Sequence, residues 1–457
     1  MTGTPDNPPE PPRPTDADRP ADADVSAGAD RPTDADRPTG ADDSAGADGS
    51  AGVEGPAVGD VLRLDVERVA HGGHCVARYE GRVVFVRHTL PGERVDARIT
   101  EVRAGFLRAD AVGIVAAAPG RTTPPCSYAG PGRCGGCDWQ HATHDTQREL
   151  KAATVAELLR RLGRFDQGEV DALGIAVEEL PGGPLDWRTR VRYAVDRGGR
   201  PGLRGHRSHR IVPVDACPIA TPGVRELPVT DRRWTPGSEL TAVASSSGDA
   251  AVLTHREVRG RTVTRLAYGA DDVVERAVGR EFRVPAGAFW QVHPAAPDTL
   301  AAAALGLLAP RPGERCWDLY GGVGLFSAVL AEAVGPDGSV TLVESGRDAT
   351  AAAARNLADL PSVRTVAGRV ERVLPTLGEV DVILLDPPRS GAGREVVTAL
   401  AGAAPRAVCY VACDPAALAR DAATFAGLGW RLAALRAFDA FPMTQHVECV
   451  ALFTPPA

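Results

Sequence analysis

The 457-residue chain is 44% hydrophobic, 24% charged and 5% aromatic, with nine cysteines and a net charge of −8. That length holds about three domains, and no apolar run is long enough for a transmembrane helix. The negative balance would argue against a nucleic-acid partner if the charge were spread evenly, and it is not.

Residues 1–56 carry thirteen Asp or Glu against four Arg, so the rest of the chain has a balance of +1. This segment repeats PTDADRP at Pro14–Pro20 and Pro32–Pro38 and contains no aromatic residue. It offers almost nothing to bury against chain entropy, so it reads as a disordered acidic tail. It has neither a basic n-region nor an apolar h-region, and no secretory signal is expected. The chain is expected to be cytoplasmic, which turns its cysteines towards metal or catalysis before disulfides.

From Val58 the pattern becomes short strands with period-two alternation, VLRLDVERVA, GRVVFVRHTLPGERVDARI and FLRADAVGIV, broken by Gly-Gly and Pro-Gly turns. About five strands over residues 57–118 predict a small closed barrel of OB type, a shape that serves either structure or oligonucleotide binding. Residues 119–285 read as a central domain. It opens with Cys126-x7-Cys134-x2-Cys137, continues through a helix at Thr146–Leu162, and becomes an antiparallel sheet that contains Cys217. Four thiolates without histidine suit an iron–sulfur cluster or a structural zinc. Arg188, Arg190, Arg192, Arg197, Arg200, Arg204, Arg207 and Arg210 have only Asp196 opposing them within that stretch. That density reads as a phosphate-binding face.

Beyond Pro285, over residues 286–457, strand and helix alternate, which predicts a doubly wound α/β domain with seven strands. Asp318-Leu319-Tyr320-Gly321-Gly322-Val323-Gly324 lies where a strand gives way to an Ala-rich helix. Glu344 ends the next strand, placed to hold a ribose. Loop and acid together point to a nucleoside-bearing cofactor, nicotinamide or S-adenosylmethionine. Asp386-Pro387-Pro388-Arg389 ends the most hydrophobic strand with a stiffly held carboxylate. Cys413 ends the following strand on the same rim, where a thiolate can act as a nucleophile. Glu448 opens the last strand there as a candidate base.

Taken in order, these motifs resemble the RNA uracil-C5 methyltransferases, the TrmA/RumA family, over about Val58 to Phe453. The barrel is similar to that family's TRAM domain, an RNA-binding module. CGGCDWQH at Cys134–His141 resembles the family's iron–sulfur signature, which implies that Cys126, Cys134, Cys137 and Cys217 hold a 4Fe-4S cluster. FWQVHP at Phe289–Pro294 resembles the segment that places Gln291 on S-adenosylmethionine, with Tyr320, Glu344 and Asp386 at the other cofactor-contacting positions. CDPAALARD at Cys413–Asp421 resembles the nucleophile motif, and FPMTQHVE at Phe441–Glu448 the motif carrying the base. Gly321 and His293 depart from the commoner Cys and Asn, and neither change removes a group with a chemical role. The resemblance implies methyl transfer to C5 of an RNA uridine, ribosomal RNA favoured over transfer RNA, by a monomer with no membrane partner.

Overall fold

The computed structural model describes residues 55–456, so all but the last two residues of the acidic tail lie outside the described part. Five strands close a barrel in the order β1-β2-β3-β5-β4: β1 (Val61–Ala70), β2 (His74–Tyr79), β3 (Arg82–Arg87), β4 (Arg94–Val102) and β5 (Phe106–Ala116). Alternate residues point inward and are buried, among them Leu64, Val84, Val86, Val95, Ile99 and Leu107. Closure leaves no unpaired strand edge, which lets so short a unit hold together. Trp139 and Leu150 join this core from the cysteine-rich segment and from the helix His144–Arg161.

After the helix comes a three-residue strand, β6 (Val177–Glu179). Six strands then form the central antiparallel sheet in the order β12-β11-β10-β7-β8-β9. They are β7 (Arg190–Val195), β8 (Pro201–Arg204), β9 (Ile211–Pro213), β10 (Glu239–Ala244), β11 (Ala250–Val258) and β12 (Arg261–Gly269). A separate hairpin, β13 (Asp272–Ala277) and β14 (Arg280–Pro285), stands apart from that sheet, where the sequence reading has a single sheet.

The large sheet contains β15 (Arg315–Leu319), β16 (Ser339–Glu344), β17 (Val363–Ala367), β18 (Val382–Leu385), β19 (Ala407–Ala412), β20 (Arg431–Asp439) and β21 (Glu448–Thr454). It has eight strands where the sequence predicts seven, ordered β17-β16-β15-β18-β19-β21-β20-β6. The eighth is β6, which adds in parallel to β20 from outside the C-terminal segment. β18 and β19 are buried along their whole length, as unbroken apolar strands covered on both faces should be. Strand order reverses between the parallel neighbours β15 and β18, the crevice where α/β sheets bind ligands. Among the described residues no helix is long and apolar enough to cross a membrane.

Candidate active site

At the tip of β15 the backbone turns through Tyr320, a non-glycine residue held at φ +62°. This left-handed conformation is strained for a side chain and tends to persist where the surroundings enforce it. Gly324 sits at φ +101°, and a Cβ there would come within 2.7 Å of the Leu357 side chain. Glycine is therefore required for the turn to pack before the helix Leu325–Val334. Glu344, at the end of β16, accepts hydrogen bonds from the N–H groups of Gly322, at 3.1 Å, and Gly346. The carboxylate is thus fastened to the glycine turn, with lone pairs still available to a ligand.

Asp318 is fully buried, accepts from the Ser327 hydroxyl at 2.5 Å, and has one oxygen without a partner. Burial pushes its carboxyl up to about 6. Asp386 follows β18 and donates its N–H to Leu319 at 3.2 Å. Burial, then the charge of Asp318, pushes the Asp386 carboxyl up to about 7. Two desolvated acids therefore flank the switch crevice. The segment beyond Asp386 is held by Asp421, which accepts from the Ala392 N–H at 2.8 Å and the Tyr410 hydroxyl at 2.7 Å.

β19 and β21 run antiparallel, with Ala412 opposite Cys449. Cys413 directly follows Ala412 and Glu448 directly precedes Cys449, which brings the Glu448 charge to act on the Cys413 thiol. Burial pushes the Cys413 thiol far up, and the charges of Glu448 and Asp386 add to this while Arg389 opposes it. Glu448 is 1% exposed. Its carboxyl too is driven well up by burial and then by Asp386, again with Arg389 opposing. Asp414 caps the following helix, Pro415–Gly427, by accepting from the Ala417 N–H at 2.8 Å. That helix begins two residues after Cys413. The barrel also reaches this rim: His71, in the β1–β2 turn, lies 3.9 Å from the Asp414 carboxylate.

Cys413, Glu448 and Asp386 thus share one electrostatic site, with Tyr320 and Glu344 on the adjoining strand ends. Gln291 is buried and lines a cavity of about 150 Å³ with Thr189, Thr221, Glu275 and Trp290. Tyr320, Glu344 and Asp386 are not on that cavity wall. Asp318 and Arg389 belong to the rim although the sequence reading gave them no role. The signal for both was present, since each stands in a motif that was singled out for another residue.

The Arg-rich stretch is partly paired. Arg192 and Arg204 both pair with Glu239 of β10, at 2.7 and 2.6 Å. Arg200 pairs with Asp196 at 3.0 Å. Arg190 is half-buried and donates to the carbonyls of Ala286 and Ala288 at 3.0 and 2.7 Å. Glu239, distant in sequence and adjacent in the sheet, thus offsets part of that charge.

The four cysteines read as one ligand set lie within each other's electrostatic reach. Burial pushes Cys134 up to about 11, the Gly136 N–H opposes this, and the charges of Cys217 and Cys126 add to it. Cys137 is pushed up by burial and further by Cys217 and Cys134. Yet among the described residues no three His, Cys, Asp or Glu side chains are grouped so as to hold a metal ion. The donor chemistry suits a thiolate-bound cluster, whereas the arrangement does not form its coordination set.

A family model described as TRAM domain matches residues 57–112, and one described as tRNA (Uracil-5-)-methyltransferase matches residues 362–455. An RNA methyltransferase of Streptomyces avermitilis is 48% identical over 430 residues, covering 88% of this chain and 99% of that one. The 23S rRNA (uracil(1939)-C(5))-methyltransferase RlmD of Chromohalobacter salexigens is 34% identical over 437 residues, covering 86% and 89%. Among solved structures, the Pyrococcus abyssi tRNA (uracil-54, C5)-methyltransferase in complex with S-adenosyl-L-homocysteine is similar in fold. Its TM-score is 0.64 at 21% identity, covering 86% of this chain and 99% of that chain.

Proposed function

Because the chain belongs to the S-adenosylmethionine-dependent RNA uracil-C5 methyltransferases, we propose that it methylates a uridine of ribosomal RNA through a covalent adduct on Cys413. The observation that supports this reading is that Cys413, next after the paired end of β19, lies within reach of the charges of Glu448 and Asp386.

C5 of uracil is too weak a nucleophile to take a methyl group directly. The Cys413 sulfur bonds to C6, and the C5–C6 π pair moves to C5 as an enolate. S-adenosylmethionine supplies the methyl group and, as a sulfonium, a positive charge. C5 would take the methyl as the S–CH3 bond breaks, its electron pair staying on sulfur to leave S-adenosylhomocysteine. Glu448 then removes the C5 proton, the double bond re-forms, and the C6–S bond breaks to return the Cys413 thiolate. Tyr320, Glu344 and Asp386, with Gln291 from the neighbouring segment, are the residues proposed to hold the cofactor. A thiol, a glutamate and an aspartate in one desolvated site resist ionising together. Arg389 and the incoming sulfonium are the charges that permit it. Both ring faces must be reached, so the uridine is unstacked or single-stranded when bound.

The ribosomal target is supported by the RlmD relative, a 23S rRNA enzyme by name. Deleting the gene should abolish one 5-methyluridine in ribosomal RNA. Loss from transfer RNA instead would move the target, and no loss from either would refute the activity in the cell. Cys126, Cys134, Cys137 and Cys217 are proposed to close around a structural 4Fe-4S cluster, through which no step of the reaction passes. Anaerobically purified protein should be brown and contain iron, and a colourless zinc protein would replace that assignment.

A further inference from the structure

Lys151 is the only lysine in the chain, and both it and its partner Asp439 are fully buried. Its ammonium lies 2.5 Å from the Asp439 carboxylate and donates to the Phe441 carbonyl at 3.0 Å. Two further residues of the same helix act on the same segment. His144 Nε2 lies 3.0 Å from the other Asp439 oxygen. Gln147 accepts from the Met443 N–H at 2.8 Å. Residues 144, 147 and 151 are spaced so that they share one helix face.

The segment they hold runs from Asp439, the end of β20, to Glu448, the start of β21. It is gripped from a second side by the residues that follow Cys137. The N–H groups of Asp138 and Trp139 both donate to the Met443 carbonyl at 3.0 Å, and Asp138 accepts from the Gln445 N–H at 3.1 Å. From the barrel, the Gly72 N–H donates to the Gln445 side chain at 3.3 Å. Met443 itself is held at φ +68°, a strained conformation that these bonds enforce. Every one of these contacts lies within the nine residues before the proposed base.

A buried ion pair seldom stabilises a fold more than a well-packed apolar pair does. What it provides is direction, since it fixes one carboxylate and one carbonyl relative to the helix. From this geometry we infer that Lys151 is a positioning residue for Glu448, acting through Asp439 and Phe441 to set the base against C5. The inference rests on Glu448 being the base. It goes beyond that assignment by separating proton removal, which depends on Lys151, from sulfur addition and methyl transfer, which do not.

The test compares two substrates with the full-length protein. Lys151→Met with Asp439→Asn removes both charges and leaves no buried ion unpaired. Gln147→Leu deletes the bonds to Met443 and the one to the Ala142 carbonyl, leaves the ion pair intact, and serves as a milder second variant. Both should bind S-adenosylhomocysteine normally and form the covalent adduct with 5-fluorouridine RNA at the normal rate, since that adduct needs no C5 proton removed. On uridine RNA, turnover by the double variant should fall roughly 10- to 100-fold, with methylated covalent complex accumulating. Gln147→Leu should shift the same way by less. If adduct formation falls in step with turnover, or turnover is unchanged in both variants, the positioning role is overturned. Glu448→Gln is run alongside. If it traps the methylated complex while the Lys151 variant does not, only the positioning role fails. If Glu448→Gln keeps full turnover, the base assignment fails and the inference with it.

Discussion

At the scale of single residues, the rim is defined by acids that burial holds above their usual range. Asp386 sits at about 7 and Asp318 at about 6. A sulfonium ligand prefers their ionised forms, so S-adenosylmethionine affinity should rise with pH through about 7 and then level off. Asp386→Asn should weaken binding and flatten that profile, as calorimetry across the range would show. The stability consequence has the opposite sign. A carboxyl raised in the folded state contributes stability below its unfolded value, and this is lost as pH rises through the folded value. Unliganded Asp386→Asn should therefore melt higher than the parent at pH above about 7, which thermal denaturation checks. Cys413 and Glu448 were legible because a strand tip fixes which rim a residue occupies. Asp318 and Arg389 stand in the same motifs, and what the sequence did not reveal was their burial and their neighbours from other strands.

At the scale of elements, short connections hold the pieces in place. Glu93, with its side chain fully buried, accepts from the Leu90 N–H at 2.8 Å and pairs with Arg121, which donates to the His88 carbonyl at 2.8 Å. This ties the β3–β4 turn to the chain leaving the barrel. Arg121→Ala leaves that carboxylate buried without its cation and should cost about 3 kcal/mol, read as a lower midpoint in denaturant. Alternation exposed the barrel strands because one face of each is apolar. β6 escaped notice because three residues carry no period, and its pairing to β20 is set by the tertiary fold. The acidic partner of the Arg-rich stretch was hidden for a related reason: Glu239 lies well outside it in sequence and beside Arg192 and Arg204 in the sheet.

At the scale of the whole molecule, the net charge of −8 conceals two unlike parts, an acidic segment over residues 1–56 and a balanced remainder. The barrel turn meets the segment that precedes Glu448 through the Gly72 N–H and Gln445, and reaches Asp414 through His71. Removing residues 1–56 relieves repulsion of a polyanion and should tighten RNA binding at low salt. The difference should vanish as salt screens it, which a filter-binding titration at two ionic strengths would reveal. The central claim is that Cys413 becomes bonded to the target uridine. Its most direct test is mass spectrometry of the digested protein after incubation with S-adenosylmethionine and 5-fluorouridine-substituted ribosomal RNA. The account predicts a methylated nucleotide adduct on the peptide bearing Cys413, absent in Cys413→Ala. An adduct that survives that substitution, or undiminished RNA methylation by Cys413→Ala, would contradict it.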